Sequence, residues 1–292
     1  MRWELQGATL LALGMMLVPS ARASVIYNNL TPTNLMAMAS RPDSGGGVFE
    51  IESADDFVLG SPASIFSASF TGLIVPAPQG SPTSVSQVVV EIYRVFPLDS
   101  DTVRTPNVPT RANSPSDVAF DSRDSAASGL SFSTSTLNVN FTALNSVQPG
   151  GIHPAPNQAT LGNGPVTGQE VRFDVSFATP FDLQDGHYFF IPQVLLSNGG
   201  QFYWLSASRP ISGAGTTPFS PDLQAWTRDA DLDPDWLRVG TDIVGPAANG
   251  NPAPTFNAAF SLEGTVVPEP SSIVLMIGGL ALIGARKYRE SR

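Results

Sequence analysis

Val171-Arg172-Phe173-Asp174-Val175-Ser176-Phe177 places four apolar side chains at alternate positions, with Arg172, Asp174 and Ser176 between them. Successive side chains of an extended chain point to opposite faces, so this stretch reads as a strand with one buried face and one wet face. Working outward, Val88, Val90 and Ile92 alternate in the same way. So do Leu137, Val139 and Phe141, after a phase slip near Thr134 that implies a bulge or a break. Two strongly apolar runs, residues 187–196 and 201–207, flank Ser197-Asn198-Gly199-Gly200, whose Asn and Gly accept positive φ and so predict a central hairpin. Ala258, Phe260 and Leu262 supply a last strand, expected to pair with one of the first. Between the two ends of the chain no helical period of useful length and no fixed repeat is found.

Composition agrees. The 292 residues include 26 Gly and 26 Pro with only 14% charged residues, a balance that favours short strands and many turns over helices. The expected fold is all-β, a single β-sandwich over residues 24–265. Long Pro-rich connections at residues 97–129, 143–168 and 208–224 are candidates to carry ligand contacts. There is no cysteine, which excludes disulfides, thiolate nucleophiles and Cys-based metal centres, so packing alone must hold the domain together.

The two ends read as processing signals. Residues 1–23 have the form of a signal peptide: an apolar run over residues 7–18, the helix breaker Pro19, and Ala21-Arg22-Ala23. Cleavage by signal peptidase is expected between Ala23 and Ser24. At the other end, Val267-Pro268-Glu269-Pro270 precedes an uncharged run over residues 273–285 and a basic end, residues 286–292, with Arg286, Lys287 and Arg289. Thirteen helical residues span about 20 Å, short of the roughly 30 Å hydrocarbon core, so the helix expected there is a marginal and transient inner-membrane anchor. The basic end would stay in the cytoplasm and everything before Pro268 outside.

This tail resembles the PEP-CTERM sorting signal of Gram-negative bacteria, in which Pro-Glu-Pro, a short membrane helix and an Arg-rich end follow one another. The resemblance implies that an exosortase, a transpeptidase-like membrane enzyme, recognises Pro268, Glu269 and Pro270 and removes the tail, leaving the protein at the outer surface or in the extracellular matrix. Ser53-Ala54-Asp55-Asp56-Phe57, Val90-Glu91-Ile92-Tyr93, Leu183-Gln184-Asp185-Gly186-His187-Tyr188 and Ala259-Phe260-Ser261-Leu262-Glu263-Gly264 look like the jelly-roll-type sandwich of many PEP-CTERM ectodomains. That second resemblance carries no catalytic residue across.

Residues 24–270 hold nine arginines against 23 Asp and Glu, a net charge of −14. Such a surface repels nucleic-acid phosphates and attracts divalent cations, so nucleic acid is not an expected partner. His153 and His187 are the only histidines and lack the spacing of a zinc site or a serine partner. Nucleotide-binding loops and the G-x-S-x-G nucleophile motif are absent. Adjacent Asp55 and Asp56 on a strand would face opposite ways, poor geometry for the carboxylate pair of a secreted glycan hydrolase.

Asp229, Asp231, Asp233 and Asp235 alternate between Trp226 and Trp236. Read as a loop, they could converge on Ca²⁺, although Pro234 and Gly240 break the EF-hand pattern; the plainer reading is a solvated acidic loop. Tyr203, Trp204, Trp226 and Trp236 could form a platform that stacks on sugar rings, against a plainer reading that puts one or more of them in the core. Apart from Ca²⁺ no cofactor is expected. The leading expectation is a non-enzymatic structural or interaction protein linked to exopolysaccharide, with a carbohydrate-binding module and a glycan hydrolase as alternatives.

Overall fold

The computed structural model describes residues 24–45, 48–77, 83–99, 113–155, 158–208, 224–229, 236–246 and 250–267, with short helical pieces at 278–279, 283–284 and 286–290. Fifteen strands are described: β1 (Ser24–Asn28), β2 (Pro32–Ala39), β3 (Ile51–Leu59), β4 (Ala63–Val75), β5 (Val85–Arg94), β6 (Asp121–Asp124), β7 (Leu130–Ala143), β8 (Ser146–Val147), β9 (Val166–Leu183), β10 (Gly186–Leu196), β11 (Gln201–Ala207), β12 (Trp226–Asp229), β13 (Leu237–Arg238), β14 (Asn257–Ala258) and β15 (Phe260–Val266). They form two sheets. One runs β1-β15-β4-β11-β2-β8, with β9 also on β4, β7 on β9 and β14 on β11; the other runs β13-β12-β3-β10-β5-β6. The chain is therefore all-β and two-layered, as composition and alternation indicate.

The opening stretch behaves as its pattern requires. In β9, Val171, Phe173, Val175 and Phe177 are all buried, while Arg172 and Asp174 pair with each other at 3.0 Å on the wet face. Val88, Val90 and Ile92 of β5 enter the same core from the facing sheet. Between the layers, Phe190 of β10 stacks on Phe260 of β15 at 5.0 Å and meets Trp204 of β11 edge-on at 6.0 Å. Offset and edge-to-face aromatic pairs of this kind add to the burial of area alone. The first and last strands pair as expected, Ser24 lying opposite Gly264.

Three expectations are corrected. β10 and β11 do not form a hairpin: β10 belongs to the six-stranded sheet and β11 to the nine-stranded one. Asn198 and Gly199 do take positive φ, 57° and 74°, but the turn carries the chain across the core instead of back beside itself. Both strands are apolar on both faces because both are central, and that pattern cannot distinguish a hairpin from a crossing. Second, Leu137 and Val139 of β7 are exposed, because the partner sheet does not extend beneath them; the register shifts fall between Thr136 and Phe141, later than Thr134. Third, two of the stretches read as connections hold strands of their own, β6 within 97–129 and β8 within 143–168.

At the ends, residues 1–23, including Ala23, lie outside the described residues, as do Pro268, Glu269 and Pro270 and most of 273–285. Among the described residues no helix is long and apolar enough to cross a membrane. Residues 286–290 are helical and exposed, with Arg286 paired to Glu290 at 3.0 Å.

Asp55 and Asp56 face opposite ways, as their adjacency on β3 demands. Asp55 is buried on the inner face, where it accepts the Ala258 N–H at 2.8 Å. Burial, reinforced by the neighbouring Asp56, holds its carboxyl above the ordinary carboxylate range, against the hydrogen bonds it accepts. A carboxyl raised in the folded state stabilises fully below its unfolded value, near 3.9, and that stabilisation is lost as pH rises through the folded value. Urea denaturation should therefore show lower stability at pH 8 than at pH 5. Asp55→Asn should shrink the difference without abolishing it, since Glu50, Glu91 and Glu170 are raised in the same direction. An unchanged pH slope in the variant would remove Asp55 from this account.

Candidate functional site

The outer face of the six-stranded sheet carries the densest charged group among the described residues. Period two puts Glu50, Glu52, Ala54 and Asp56 on that face along one strand and its approach, and Glu91 and Tyr93 on it along β5. Register completes the set, since Arg228 of β12 lies opposite Glu52, and Glu91 and Tyr93 lie opposite Ile191 and Phe189 of β10.

Glu52 stands at the centre. Tyr93 donates its phenolic O–H to Glu52 Oε1 at 2.6 Å, and Arg228 Nε donates to Glu52 Oε2. Arg228 also donates to the Tyr93 hydroxyl at 3.0 Å and to the Asp117 carbonyl at 3.1 Å. Its guanidinium lies 4.5 Å from the Trp236 ring centre, and the Trp236 indole N–H donates to the Ser116 carbonyl at 2.8 Å. Ser116 and Asp117 thus help roof the group, and all of these side chains are buried apart from the edges of Glu50 and Glu91. Gln193 donates from Nε2 to Glu50 Oε1 at 2.8 Å. One carboxylate oxygen from each of Glu50, Glu52 and Glu91 lies within 4.8 Å of the others.

The electrostatics follow from crowding. Burial, then the charges of Glu52 and Glu50, push the Glu91 carboxyl up to about 9, with Arg228 opposing. Glu50 is raised by burial and by Glu52, against its bond from Gln193. Burial also lifts Tyr93, with Glu52 adding to it. For Arg228, burial works against the charge, but Glu52 and Tyr93 outweigh it and hold the guanidinium more firmly protonated. Both Glu52 oxygens are engaged, so attack by Glu52 on a glycosidic carbon would first have to break the bonds to Tyr93 and Arg228.

A second pair lies on the same face. His187 Nε2 and Asp56 Oδ2 are 2.7 Å apart with both side chains buried, an anchor between β10 and β3 from positions 131 residues apart. His153 follows the short 3₁₀ turn Pro149–Gly151, and neither of its ring nitrogens has a hydrogen-bond partner among the described residues.

The expected sugar platform is corrected. Trp204, Trp226 and Trp236 are 0%, 1% and 2% exposed and Tyr203 is 4%, so none offers a ring face to solvent. Trp204 fills the core between the sheets and donates to the Ala259 carbonyl at 3.0 Å. Trp226 and Trp236 pack on the outer face with Tyr93, Phe189 and Ile191. They are apolar surface being buried, not displayed. The acidic quartet is divided: Asp229 is a buried strand residue opposite Ile51, not a loop residue, while Asp231, Asp233 and Asp235 lie outside the described residues.

The Glu52–Arg228–Tyr93 group escaped sequence reading. Its only signal is Glu50-x-Glu52, Glu91-x-Tyr93 and Trp226-x-Arg228 at strand spacing, which says that each pair shares a face and not that the pairs meet. Removing one partner of a buried ion pair costs about 3–5 kcal/mol because the other charge is stranded. Arg228→Ala should lose that much in urea denaturation, and Arg228→Met with Glu52→Gln together should cost clearly less than the two single changes added. Strict additivity would mean the two groups are not coupled. No family model, curated protein or solved structure matches this chain at a significant level.

Proposed function

We propose that this chain is an exported surface or matrix protein, sorted through its PEP-CTERM tail, whose role alongside exopolysaccharide is structural and interactive, not enzymatic. The observation that carries the reading is β7. Its fourteen residues include no charge, no Pro and no Gly, and residues 133–140 are all exposed although they pair with β9 on one side. Among the described residues no strand pairs with the other edge of β7. Soluble proteins ordinarily protect a long edge with Lys, Pro or a cover, because unpaired N–H and C=O groups template further strands. On a domain with a net charge of −14, an uncharged edge is the place where two copies can approach without like-charge repulsion. Strand addition between β7 edges of neighbouring copies is the association this surface fits.

The ends support export. Ser24, the first residue expected after signal-peptidase cleavage, belongs to a strand of the sandwich, and the last strand stops at Val266, just before Pro268. The strand orders β2-β11-β4-β9 and β3-β10-β5-β6, with β2 to β5 and again β9 to β11 alternating between layers, support the jelly-roll reading. The carbohydrate-binding alternative loses its proposed residues with the burial of the tryptophans.

Intact mass of the protein from the medium of its native host should correspond to a chain that starts at Ser24 and ends near Pro270; a membrane-bound species retaining Arg292 would overturn sorting. Light scattering should show concentration-dependent association of that processed protein. Leu137→Lys with Val139→Lys should abolish it while shifting stability by less than about 0.5 kcal/mol, as exposed sites do. Unchanged association in the double variant would overturn the β7 interface.

A further inference from the structure

We infer that β7 pairs with β7 of a second copy in one antiparallel register, about a two-fold axis through Ser133, and that the resulting dimer is closed. The dimer rests on the β7 association proposed above and gives it a geometry. Backbone direction selects the residues that pair. The Gly129 carbonyl accepts the Ala178 N–H at 2.9 Å, one step before the Leu130–Phe177 pair. Positions that bond the neighbouring strand alternate with positions that do not in an antiparallel ladder, so Ser131, Ser133 and Ser135 turn their N–H and C=O groups to β9. Leu130, Phe132, Thr134 and Thr136 turn theirs to the open edge. The regular run ends there, because the register shifts between Thr136 and Asn138 and again before Phe141. Bulges of this kind twist an edge away from further pairing.

Two copies related by a two-fold axis must set open-edge residues opposite one another, and centring residues 130–136 on Ser133 does so for all four. Leu130 then faces the partner's Thr136 and Phe132 the partner's Thr134, so each large apolar side chain of the inner face meets a threonine methyl. On the outer face the exposed Ser131 faces the partner's Ser135, and Ser133 faces its own counterpart. The run Leu-Ser-Phe-Ser-Thr-Ser-Thr is thus self-complementary about its middle, and cross-strand Ser and Thr pairs stabilise a sheet. An axis at Phe132 would instead pair Thr136 with Ser128, which sits in a turn at φ 59°. Past Thr136, Leu137 and Val139 come alongside the partner's turn, where Ala126 and Ala127 are exposed. The other sheet ends are short: β1 has five residues, β6 four, and β8 and β13 two each. Such lengths ordinarily end pairing, so association stops at two copies, and each dimer carries its outward surfaces twice, as a bivalent matrix link does.

The chain has no cysteine, so a single introduced thiol reports the register. Ser133 and its counterpart form a non-hydrogen-bonded pair with Cα atoms about 4.5 Å apart, within the span of a disulfide. Processed Ser133→Cys protein should oxidise to a disulfide-linked dimer at concentrations where light scattering shows association. Ser131→Cys and Ser135→Cys should each stay largely unlinked alone, since four residues of strand, about 13 Å, separate each from its own counterpart. Mixed together, they should cross-link to each other. Adding Leu137→Lys and Val139→Lys to Ser133→Cys should prevent its disulfide, which excludes chance collision. Circular dichroism establishes that each variant is folded. Cross-linking that is best through Ser131→Cys or Ser135→Cys alone would overturn the register while leaving the β7 interface standing. Wild-type assemblies larger than two copies would overturn closure. A wild-type protein that does not associate would overturn the β7 reading itself, and this dimer with it.

Discussion

Two sheets without a single disulfide must be held by what lies between them, and here that is a set of aromatic rings centred on Phe190. It stacks on Phe260, meets Trp204 edge-on and approaches Phe70 at 6.4 Å, so one side chain of β10 touches three strands of the facing sheet. Phe70 in turn stacks on Phe173 of β9 at 4.8 Å. Because β10 is the inner neighbour of both β3 and β5, fixing Phe190 fixes the six-stranded sheet against β15, β11 and β4. Dense packing of this kind transmits position, since a core side chain cannot shift without displacing its neighbours.

The outer face of the same sheet depends on that placement. β10 shows Phe189, Ile191 and Gln193 to the outside, and β3 and β5 bring Glu52 and Tyr93 beside them. Trp226, Trp236 and the segment carrying Ser116 and Asp117 close over this face, so it becomes a second, smaller core with charges inside it. Buried charge is tolerable only when paired and hydrogen-bonded. Arg228 meets that condition through Glu52, Tyr93 and the Asp117 carbonyl. The three glutamates meet it less completely, and burial among like charges raises the Glu91 and Glu50 carboxyls above the ordinary range.

The nine-stranded sheet is wider than its partner, and β7 is the overhang. Thr134 and Thr136 lie opposite the buried Phe173 and Val171 of β9, yet both are exposed because no second layer lies under them. The Ser, Thr and Asn of β7 suit an element wet on both faces, and Leu137 and Val139 stand exposed among them.

By itself the sequence determined the strand character, the inward faces of β5 and β9, the pairing of first and last strands, and the opposite orientation of Asp55 and Asp56. Each follows from period two or from chain-end proximity, which are local properties. The central turn was legible as a turn, with Asn198 and Gly199 at positive φ, but whether it reverses beside its own strand or crosses to the other layer depends on which sheet needs a strand there. Leu137 and Val139 read as buried because apolar alternation implies a covering layer, and only the extents of the two sheets decide whether that layer exists. The tryptophans left a platform open beside the plainer core reading, since exposure belongs to the fold and not to the residue. Glu52, Tyr93, Glu91 and Arg228 became one site only through strand pairing, which brings together side chains separated by as many as 176 positions.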